Sequence, residues 1–383
     1  GLAGTPRFLG NEGIHGFIRQ AGCIQFDPVD GCGRNADLVL QSRIPEYHPS
    51  WLQTELYEKR TLIDYYDKNM AIFPIEDWKY FARTRHRYLN SHWISQEVRA
   101  AFPQVRQELE RNGGILSSQD ARIEGNVDWS WAPARLARAA LESLYFQGEL
   151  IIHHRTGTVR HYAPAEEYLP HEVISAQEPH EDDADYLCWH LLRRIASVGL
   201  LWNKRSDAWL AIEGLNAQAR NAAFLKLEEN GLIIPISIEG IKEPLYIPAT
   251  SRDLLEKQSV LPALQERIEF IAPLDNIMWD RTLIQRLFNF SYTWEIYTPP
   301  AKRKYGWYTL PVLSGTSFAG RIEMAAQRKD GVLLIKNFWP EPSLLELPRA
   351  QQKRFFDLMQ ERLERFALFN DCRSLTGEEL LRI

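Results

Sequence analysis

The chain has few cysteines and no long apolar run. Its 383 residues include four cysteines, with no C-x-x-C pair among them: Cys23, Cys32, Cys188 and Cys372. This spacing argues against a disulfide framework and a structural zinc site, so we expect reduced thiols and no metal. No apolar stretch approaches the ~18 residues that span a bilayer, and the N-terminus lacks a basic-then-apolar signal pattern. We therefore expect a cytoplasmic protein without membrane contact, with a short N-terminal piece missing before Gly1.

An excess of positive charge is also absent. The formal net charge is −5 at pH 7, although Lys and Arg supply most non-specific affinity for DNA. The local basic clusters are two: Arg83, Arg85 and Arg87, and Lys302, Arg303 and Lys304. Acidic residues concentrate between Glu178 and Asp185. Each basic cluster is either a solvated face or a phosphate-binding surface.

The remaining composition is that of an ordinary globular protein. Hydrophobic residues make up 45% of the chain and charged residues 25%. The length predicts two to four compact units. Helical periodicity followed by a β pattern recurs three times, which predicts an α+β fold of tandem winged-helix units, a variant of the helix-turn-helix. We place these units at residues 1–95, 96–175 and 176–264, with the candidate catalytic strand in the first.

The clearest patterns lie in the second and third units. Apolar spacing and stop signals such as Gly148 and Gly231 predict helices at 98–109, 117–120, 133–147, 183–198 and 216–230. Turn residues between β-branched runs predict hairpins at 149–162 and 232–247.

Beyond residue 265 the pattern changes to β. Aromatic and β-branched runs predict strands at 290–298, 305–313, 317–326 and 332–339, followed by a helix at 349–369. We therefore predict a C-terminal antiparallel β domain with a closing helix over residues 265–383. Aromatic residues of this domain either stack on bases or form the β core: Trp279, Trp294, Tyr297, Trp307 and Tyr308.

The triplet Gln25-Phe26-Asp27 carries the candidate chemistry. Pro28 prevents a helix from continuing through Asp27, so an extended backbone is expected. The amide and the carboxylate then project to one side, while Ile24 and Phe26 face the core. A carboxylate beside an amide can hold a water and direct it at an electrophilic carbon. Alternatively, the two polar residues only form a turn or cap the following helix.

Three blocks of this sequence resemble the winged-helix DNA glycosylases of the YcaQ and AlkZ kind: CIQFDPV…GRNADLVLQSRIPEYHPSWL, LIDYYDKNMAIFP, and FIAPLDNIMWDR…LFNFSYTWEIYTPPAKRKYGWYTLPVL. The resemblance covers nearly the whole chain. The catalytic motif of that family, Gln-apolar-Gln or Gln-apolar-Asp, falls here on Gln25 and Asp27. The Asp version resembles the YcaQ branch, which removes N7-alkylated guanine and unhooks interstrand cross-links.

The resemblance implies a monofunctional DNA glycosylase that acts on double-stranded DNA with alkylated bases. We expect a monomer that needs no cofactor. Arg34, Asn35 and Arg43 stand at the family's positions, so we expect them to bind DNA together with the two basic clusters. Lys68 stands where related sequences carry a histidine, and we expect it near the site and at the DNA. The alternative functions are a winged-helix DNA-binding regulator and a damage-binding protein without catalysis.

Overall fold

Helices and short β-sheets alternate along the chain in the computed structural model, which describes residues 2, 4–130, 132–258 and 266–381. The helices are α1 (Glu12–Ala21), α2 (Asn35–Gln41), α3 (Pro49–Gln53), α4 (Ala82–Leu89), α5 (Gln96–Ala100), α6 (Phe102–Arg111), α7 (Leu136–Gln147), α8 (Ala165–Tyr168), α9 (His171–Ile174), α10 (Asp183–Val198), α11 (Ala217–Glu229), α12 (Arg252–Gln258), α13 (Arg281–Phe288), α14 (Pro342–Leu345) and α15 (Arg349–Phe369). The strands are β1 (Ile24–Gln25), β2 (Leu62–Asp67), β3 (Asn69–Pro74), β4 (Leu116–Ser117), β5 (Asn126–Val127), β6 (Ala134–Arg135), β7 (Leu150–Thr156), β8 (Val159–Pro164), β9 (Leu201–Trp202), β10 (Ile233–Ile238), β11 (Ile241–Pro248), β12 (Ile268–Phe270), β13 (Thr309–Ser314), β14 (Ser317–Gln327), β15 (Val332–Pro340) and β16 (Ser374–Thr376). The predicted α+β class is confirmed.

The chain divides into two compact units. Unit 1 combines Gly1–Leu52 with Ala184–Ile383, and unit 2 is Gln53–Asp183. Unit 2 is therefore an insertion in the chain of unit 1. The predicted borders near residues 95, 175 and 264 describe a finer division than this one, and they stay predictions.

Unit 2 has a core of aromatic rings between a hairpin and helices. β2 pairs with β3 antiparallel, from Leu62 opposite Pro74 to Asp67 opposite Asn69. The ring of Tyr65 in β2 lies edge-on to Tyr145 of α7, with centroids 5.5 Å apart. The α7 helix ends at Gly148, whose φ of +80° is one that side-chain-bearing residues rarely adopt. The hairpin of β7 and β8 follows, so the helix and hairpin predicted for this stretch are present.

Unit 1 contains a small sheet in the order β10-β11-β9 and two long helices beside it in sequence, α10 and α11. The side chain of Asn216 caps α11 by accepting a hydrogen bond from the backbone N–H of Ala219 at 2.9 Å. Phe224 of α11 packs edge-on against Tyr246 of β11, with centroids 5.0 Å apart. Helix and hairpin form here where the sequence predicted them.

The larger sheet of unit 1 has the order β12-β13-β14-β15-β16. Its pairs are antiparallel except the last, because β15 and β16 run parallel. The predicted antiparallel domain therefore carries one parallel edge strand. The helix α15 closes the sheet, and Phe366 of α15 packs edge-on against Phe270 of β12 at 5.0 Å.

Two predicted elements are wrong. Residues 290–298 form no strand, although the alternation of buried Phe290 and Tyr292 is real, because β12 occupies the place beside β13. Residues 118–120 form a turn rather than a helix. Ser117 caps that turn by accepting from the N–H of Asp120, but it belongs to β4, which pairs with β8.

The longest helix is α15, which has 21 residues with charged side chains along its length. Across the described ranges, no helix combines the length and apolar character needed to cross a membrane.

Candidate active site

The candidate catalytic strand β1 follows a sharp end of α1. Gly22 has a φ of +74°, and a Cβ at this position would lie 2.7 Å from Cγ of Arg193, so the turn requires glycine. Ile24 and Phe26 are buried, as the alternation predicted. Gln25 is buried as well, and Asp27 is half-buried. The triplet therefore lies at the border between the core and the surface.

The Asp27 carboxylate accepts one hydrogen bond from the residues that the structure describes. Its Oδ1 accepts the backbone N–H of Val29 at 2.9 Å. This is the bond expected from the alternative interpretation, in which the polar residues only form a turn. Its Oδ2 accepts no hydrogen bond from the described residues, so a further donor can approach it. Burial raises the pKa of Asp27, and the bond from Val29 opposes that rise.

Two side-chain amides hold the backbone of the strand by its carbonyl groups. Asn35, the first residue of α2, donates from Nδ2 to the carbonyl oxygen of Gln25 at 2.7 Å. Its Oδ1 accepts the N–H of Leu274 at 2.9 Å. Asn276 donates to the carbonyl oxygen of Cys23 at 2.9 Å. These buried bonds fix the direction in which the Gln25 side chain leaves the backbone.

A buried ion pair sets the position of both amides. Arg43 binds the Asp275 carboxylate through two bonds of 2.7 Å, and both side chains are almost completely buried. Asp275 also accepts the N–H of Ile277 at 3.1 Å, so it shapes the short 3₁₀ turn that begins at Asn276. The pair thus ties the end of α2 to the segment that supplies Leu274 and Asn276.

Tyr308 holds the loop between the triplet and α2. Its hydroxyl lies 2.9 Å from the carbonyl oxygen of Gly33 and 3.4 Å from that of Val29. A Cβ on Gly31 would come 2.7 Å from Cγ of Tyr308, so the loop backbone lies directly against this ring. Burial raises the pKa of Tyr308, and nearby negative groups that include Asp27 add to the rise.

The helix α10 contacts the start of the strand. Arg193 donates to the carbonyl oxygen of Gly22 at 2.7 Å, and Ser197 donates to that of Ala21. The fully buried Arg194 lies 3.5 Å from Sγ of Cys23 and 5.4 Å from the centre of the Trp279 ring. Unit 1 therefore holds the strand from α10, from α2 and from the segment around Asn276.

Two of the residues predicted to bind DNA are engaged in the core. Both ends of the buried Asn35 amide are occupied, by Gln25 and Leu274. The Arg43 guanidinium is buried against Asp275. Their contact with DNA stays a prediction, and it would require a phosphate to displace bonds inside the core. Arg34 at the start of α2 is half-exposed and stays a candidate.

The first basic cluster is mostly engaged within unit 2. Arg83 binds Glu178 at 2.9 Å, the carboxylate of Asp183 and the carbonyl oxygen of His180, so the acidic segment neutralises it. Arg85 lies 4.2 Å from the centre of the Trp78 ring, and burial lowers its pKa to about 10. Arg87 is exposed. Of the three, Arg87 keeps the character of a phosphate-binding residue.

Lys68 lies in the turn between β2 and β3 of unit 2 and is 4% exposed. Asp64 of β2 binds Arg155 at 2.8 Å, in a pair that is 3% exposed on each side. The expectation that Lys68 lies near the site and at the DNA stays a prediction.

The second basic cluster is at the surface of unit 1. Lys302 and Lys304 are exposed, while Arg303 is half-buried and donates to the carbonyl oxygen of Thr298 at 2.8 Å. Across the described residues, no group of three His, Cys or carboxylate side chains could hold a metal ion.

The sequence had not revealed the residues that hold the strand. Asn276 and Asp275 lie within the FIAPLDNIMWDR block, but no local pattern links them to residues 23–43. Two buried polar side chains in an apolar segment were the available signal, since such groups need partners. Tyr308 gave no signal of its own among so many aromatic residues.

Two comparisons with known proteins bear on this site. A sequence model for the AlkZ-like family, described as DNA glycosylase AlkZ-like, matches residues 18–369. Among solved structures, the Streptomyces sahachiroi DNA glycosylase AlkZ is similar, with a TM-score of 0.60 and 12% sequence identity. That similarity covers 97% of this chain and 94% of the other. At this identity the structural match establishes a common fold.

We predict that Arg43→Met lowers the free energy of unfolding by about 3–5 kcal/mol, because it leaves the Asp275 charge buried without a partner. Urea unfolding measures this change. Arg34→Met, at a half-exposed position, is the matched control and should cost less than about 1 kcal/mol. The double variant Arg43→Met, Asp275→Asn removes the unpaired charge and should be less destabilised than Arg43→Met alone. Equal losses for Arg43→Met and Arg34→Met would show that the ion pair contributes little.

Proposed function

Because the chain belongs to the AlkZ-like DNA glycosylase family, we propose that it removes N7-alkylated guanine from duplex DNA and unhooks interstrand cross-links formed at that position. The observation that supports this proposal most directly is Asp27. Its carboxylate is half-buried, has a free oxygen among the described residues, and lies two residues after a strand held by buried hydrogen bonds. Such an arrangement keeps a negative charge in a fixed place where solvent screens it weakly.

The proposed reaction is hydrolysis of the bond between N9 of the base and C1′ of the sugar. Alkylation at N7 makes the base cationic, so it leaves with the bonding electron pair as a neutral molecule. Positive charge then develops on the sugar, and Asp27 stabilises it. A water held by Gln25 and Asp27 adds its oxygen to C1′ and gives a proton to Asp27. The products are the free base and an abasic sugar.

We also propose that the helix and hairpin segments are winged-helix units. In unit 1, α10 and α11 precede the hairpin of β10 and β11, and in unit 2 α5, α6 and α7 precede that of β7 and β8. Winged helices place a helix against the duplex. Among the basic residues, exposed Arg87, Lys302 and Lys304 and half-exposed Arg34 suit contacts with phosphates in a monomeric complex.

We predict that Asp27→Asn lowers the single-turnover release of N7-methylguanine from duplex DNA by ~100-fold or more. The lost charge acts chiefly on the transition state, so affinity for the duplex should stay within a few-fold of wild type. Gln25→Ala should lose less if this amide only orients the water. Base release by Asp27→Asn at the wild-type rate would remove Asp27 from the mechanism. Near-complete loss in both variants would instead make the two side chains one functional unit.

The pH dependence of base release gives a second prediction. Asp27 acts as a carboxylate, so the rate should fall as the pH drops through its pKa. Burial raises this pKa, so the fall should be centred above the value of about 3.9 for an ordinary aspartate. The residual activity of Asp27→Asn should show no such fall.

A second carboxyl group requires a control in this experiment. Burial raises the pKa of Asp37 in α2 to about 6, although its bond with the Tyr47 hydroxyl, 2.6 Å long, opposes the rise. Asp37 binds its proton more tightly in the folded protein, so its contribution makes stability fall as the pH rises between about 3.9 and 6. Asp37→Asn should remove that trend in stability, while the fall in the rate of base release at low pH remains. If Asp37→Asn abolishes that fall, the fall reports Asp37 and not Asp27.

We predict an intact abasic site as product, without strand cleavage by the protein. Cleavage would need an uncharged amine that forms a Schiff base with the sugar, and the triplet contains none. The experiment incubates the protein with lesion-bearing duplex and borohydride, and looks for a covalent complex. Lys353→Ala, at an exposed lysine of α15, serves as the control for Lys68→Ala. A covalent band that Lys68→Ala abolishes and Lys353→Ala retains would make Lys68 the nucleophile.

A further inference from the structure

One aromatic side chain of unit 1 is conspicuously exposed. Trp279 and Tyr308 are buried, and Trp294 and Trp307 are half-buried, so these rings belong wholly or partly to the core. Tyr297, in contrast, is 84% exposed. A single exposed ring carries little meaning by itself. The loop that carries Tyr297 and the rings beside it give this exposure a meaning.

Tyr297 begins a loop, residues 297–306, whose backbone is fixed by a buried carboxylate. The two Glu295 oxygens accept the backbone N–H groups of Lys304 and Tyr305, each at 2.8 Å, and that of Gly306 at 3.2 Å. Burial opposes the charge, yet these donors hold the pKa of Glu295 below its usual range. The 297–306 loop is therefore a rigid surface element.

A second carboxylate continues the same anchoring. Oε1 of Glu323 accepts the N–H of Trp307 at 2.9 Å and lies 3.4 Å from that of Tyr308. A Cβ on Gly306 would overlap this carboxylate, so a side chain at this position would force the Glu323 group to move. Five successive backbone N–H groups, from residue 304 to 308, thus point at two carboxylates.

The anchored loop is connected to the catalytic strand through packed rings. Tyr297 lies edge-on to Trp294 with centroids 6.4 Å apart, and Trp294 lies edge-on to Tyr308 at 6.0 Å. The Tyr308 hydroxyl in turn contacts the loop that follows Asp27, at the carbonyl oxygen of Val29. Tyr297 is therefore at the outer end of a row of rings whose inner end reaches the candidate active site.

Two cations accompany this ring. Lys302 and Lys304 are exposed on the 297–306 loop, and Nζ of Lys304 lies 5.0 Å from the centre of the Tyr305 ring. An exposed ring and two exposed lysines on one anchored loop supply what single-stranded nucleic acid requires, which is a face for the base and charge for the phosphates.

We propose that Tyr297 stacks on an unpaired nucleobase of the damaged duplex while Lys302 and Lys304 bind the adjacent phosphates. This inference rests on the proposed function for its ligand, and it assigns a specificity role to a residue outside the triplet. In an intact duplex the faces of each base are covered by its neighbours, so the Tyr297 ring has no base to stack on. An unpaired base leaves the stack at less cost and then exposes a face, so the Tyr297 ring favours DNA in which a base has lost its partner.

The test compares two duplexes of one sequence. One is fully paired, and the other carries a tetrahydrofuran abasic analogue that leaves the opposite base unpaired. Binding of each to the full chain is measured by fluorescence anisotropy. Tyr297→Ala should weaken binding of the abasic duplex by ~5- to 100-fold and change binding of the paired duplex by less than about twofold. Tyr297→Phe keeps the ring and should bind both duplexes as wild type does.

Two control variants separate stacking from charge and from surface changes in general. Lys302→Ala with Lys304→Ala should weaken both duplexes alike and reduce the slope of log affinity against log salt by ~2. Leu368→Ala, at another exposed apolar side chain of unit 1, should change neither affinity. Removing the exposed Tyr297 ring should leave the unfolding curve unchanged.

The remaining outcomes would overturn the inference. Equal weakening of both duplexes by Tyr297→Ala, or no weakening, contradicts stacking on an unpaired base. A loss in Tyr297→Phe as large as that in Tyr297→Ala assigns the effect to the hydroxyl group. Failure of the wild-type chain to bind either duplex would overturn it as well. Release of N7-methylguanine is measured separately, so its failure would refute the proposed substrate and leave the binding comparison valid.

Discussion

The buried pair of Arg43 and Asp275 is the interaction on which the candidate active site depends. Ionised side chains in a core are unfavourable unless each finds a partner with good geometry, and here two bonds of 2.7 Å join them. Through this pair the end of α2 is fixed to the turn that carries Asn276. Asn35 and Asn276 then hold the carbonyl groups of Gln25 and Cys23. A two-residue strand has little stability of its own, so its geometry comes from these side chains.

Much of the local structure could be predicted from the sequence. Helices with strong periodicity, such as α7 and α15, and the hairpin of β10 and β11 were recognisable because the pattern and the stop signals agree. The wrong elements have a tertiary cause. Residues 290–298 have the alternation of a strand, but β12 takes the sheet position, and short strands such as β12 and β16 carry too few residues for a pattern.

The candidate site was predictable only where it is local. The triplet lies in seven consecutive residues with Cys23 and Val29, whereas the support from Asn276 and Tyr308 comes from more than 200 positions later. Charge was the other source of error. Arg43 and Arg83 read as free cations in sequence, yet the first is paired with Asp275 and the second with Glu178 and Asp183. A negative partner distant along the chain cannot be recognised from composition. Only the exposure of Lys302 and Lys304 in the structure distinguishes them from the paired arginines.

The insertion of unit 2 within unit 1 also determines when the site can form during synthesis. The residues that hold the strand and its loop are made much later than the strand itself, because Asn276 follows Cys23 by 253 positions, and Tyr308 follows Gly33 by 275. Unit 2 is continuous in sequence and can fold while the rest of the chain is still being made. Unit 1 must wait, because its first 52 residues and its last 200 form one body. The candidate triplet is thus translated well before the residues that fix its final geometry.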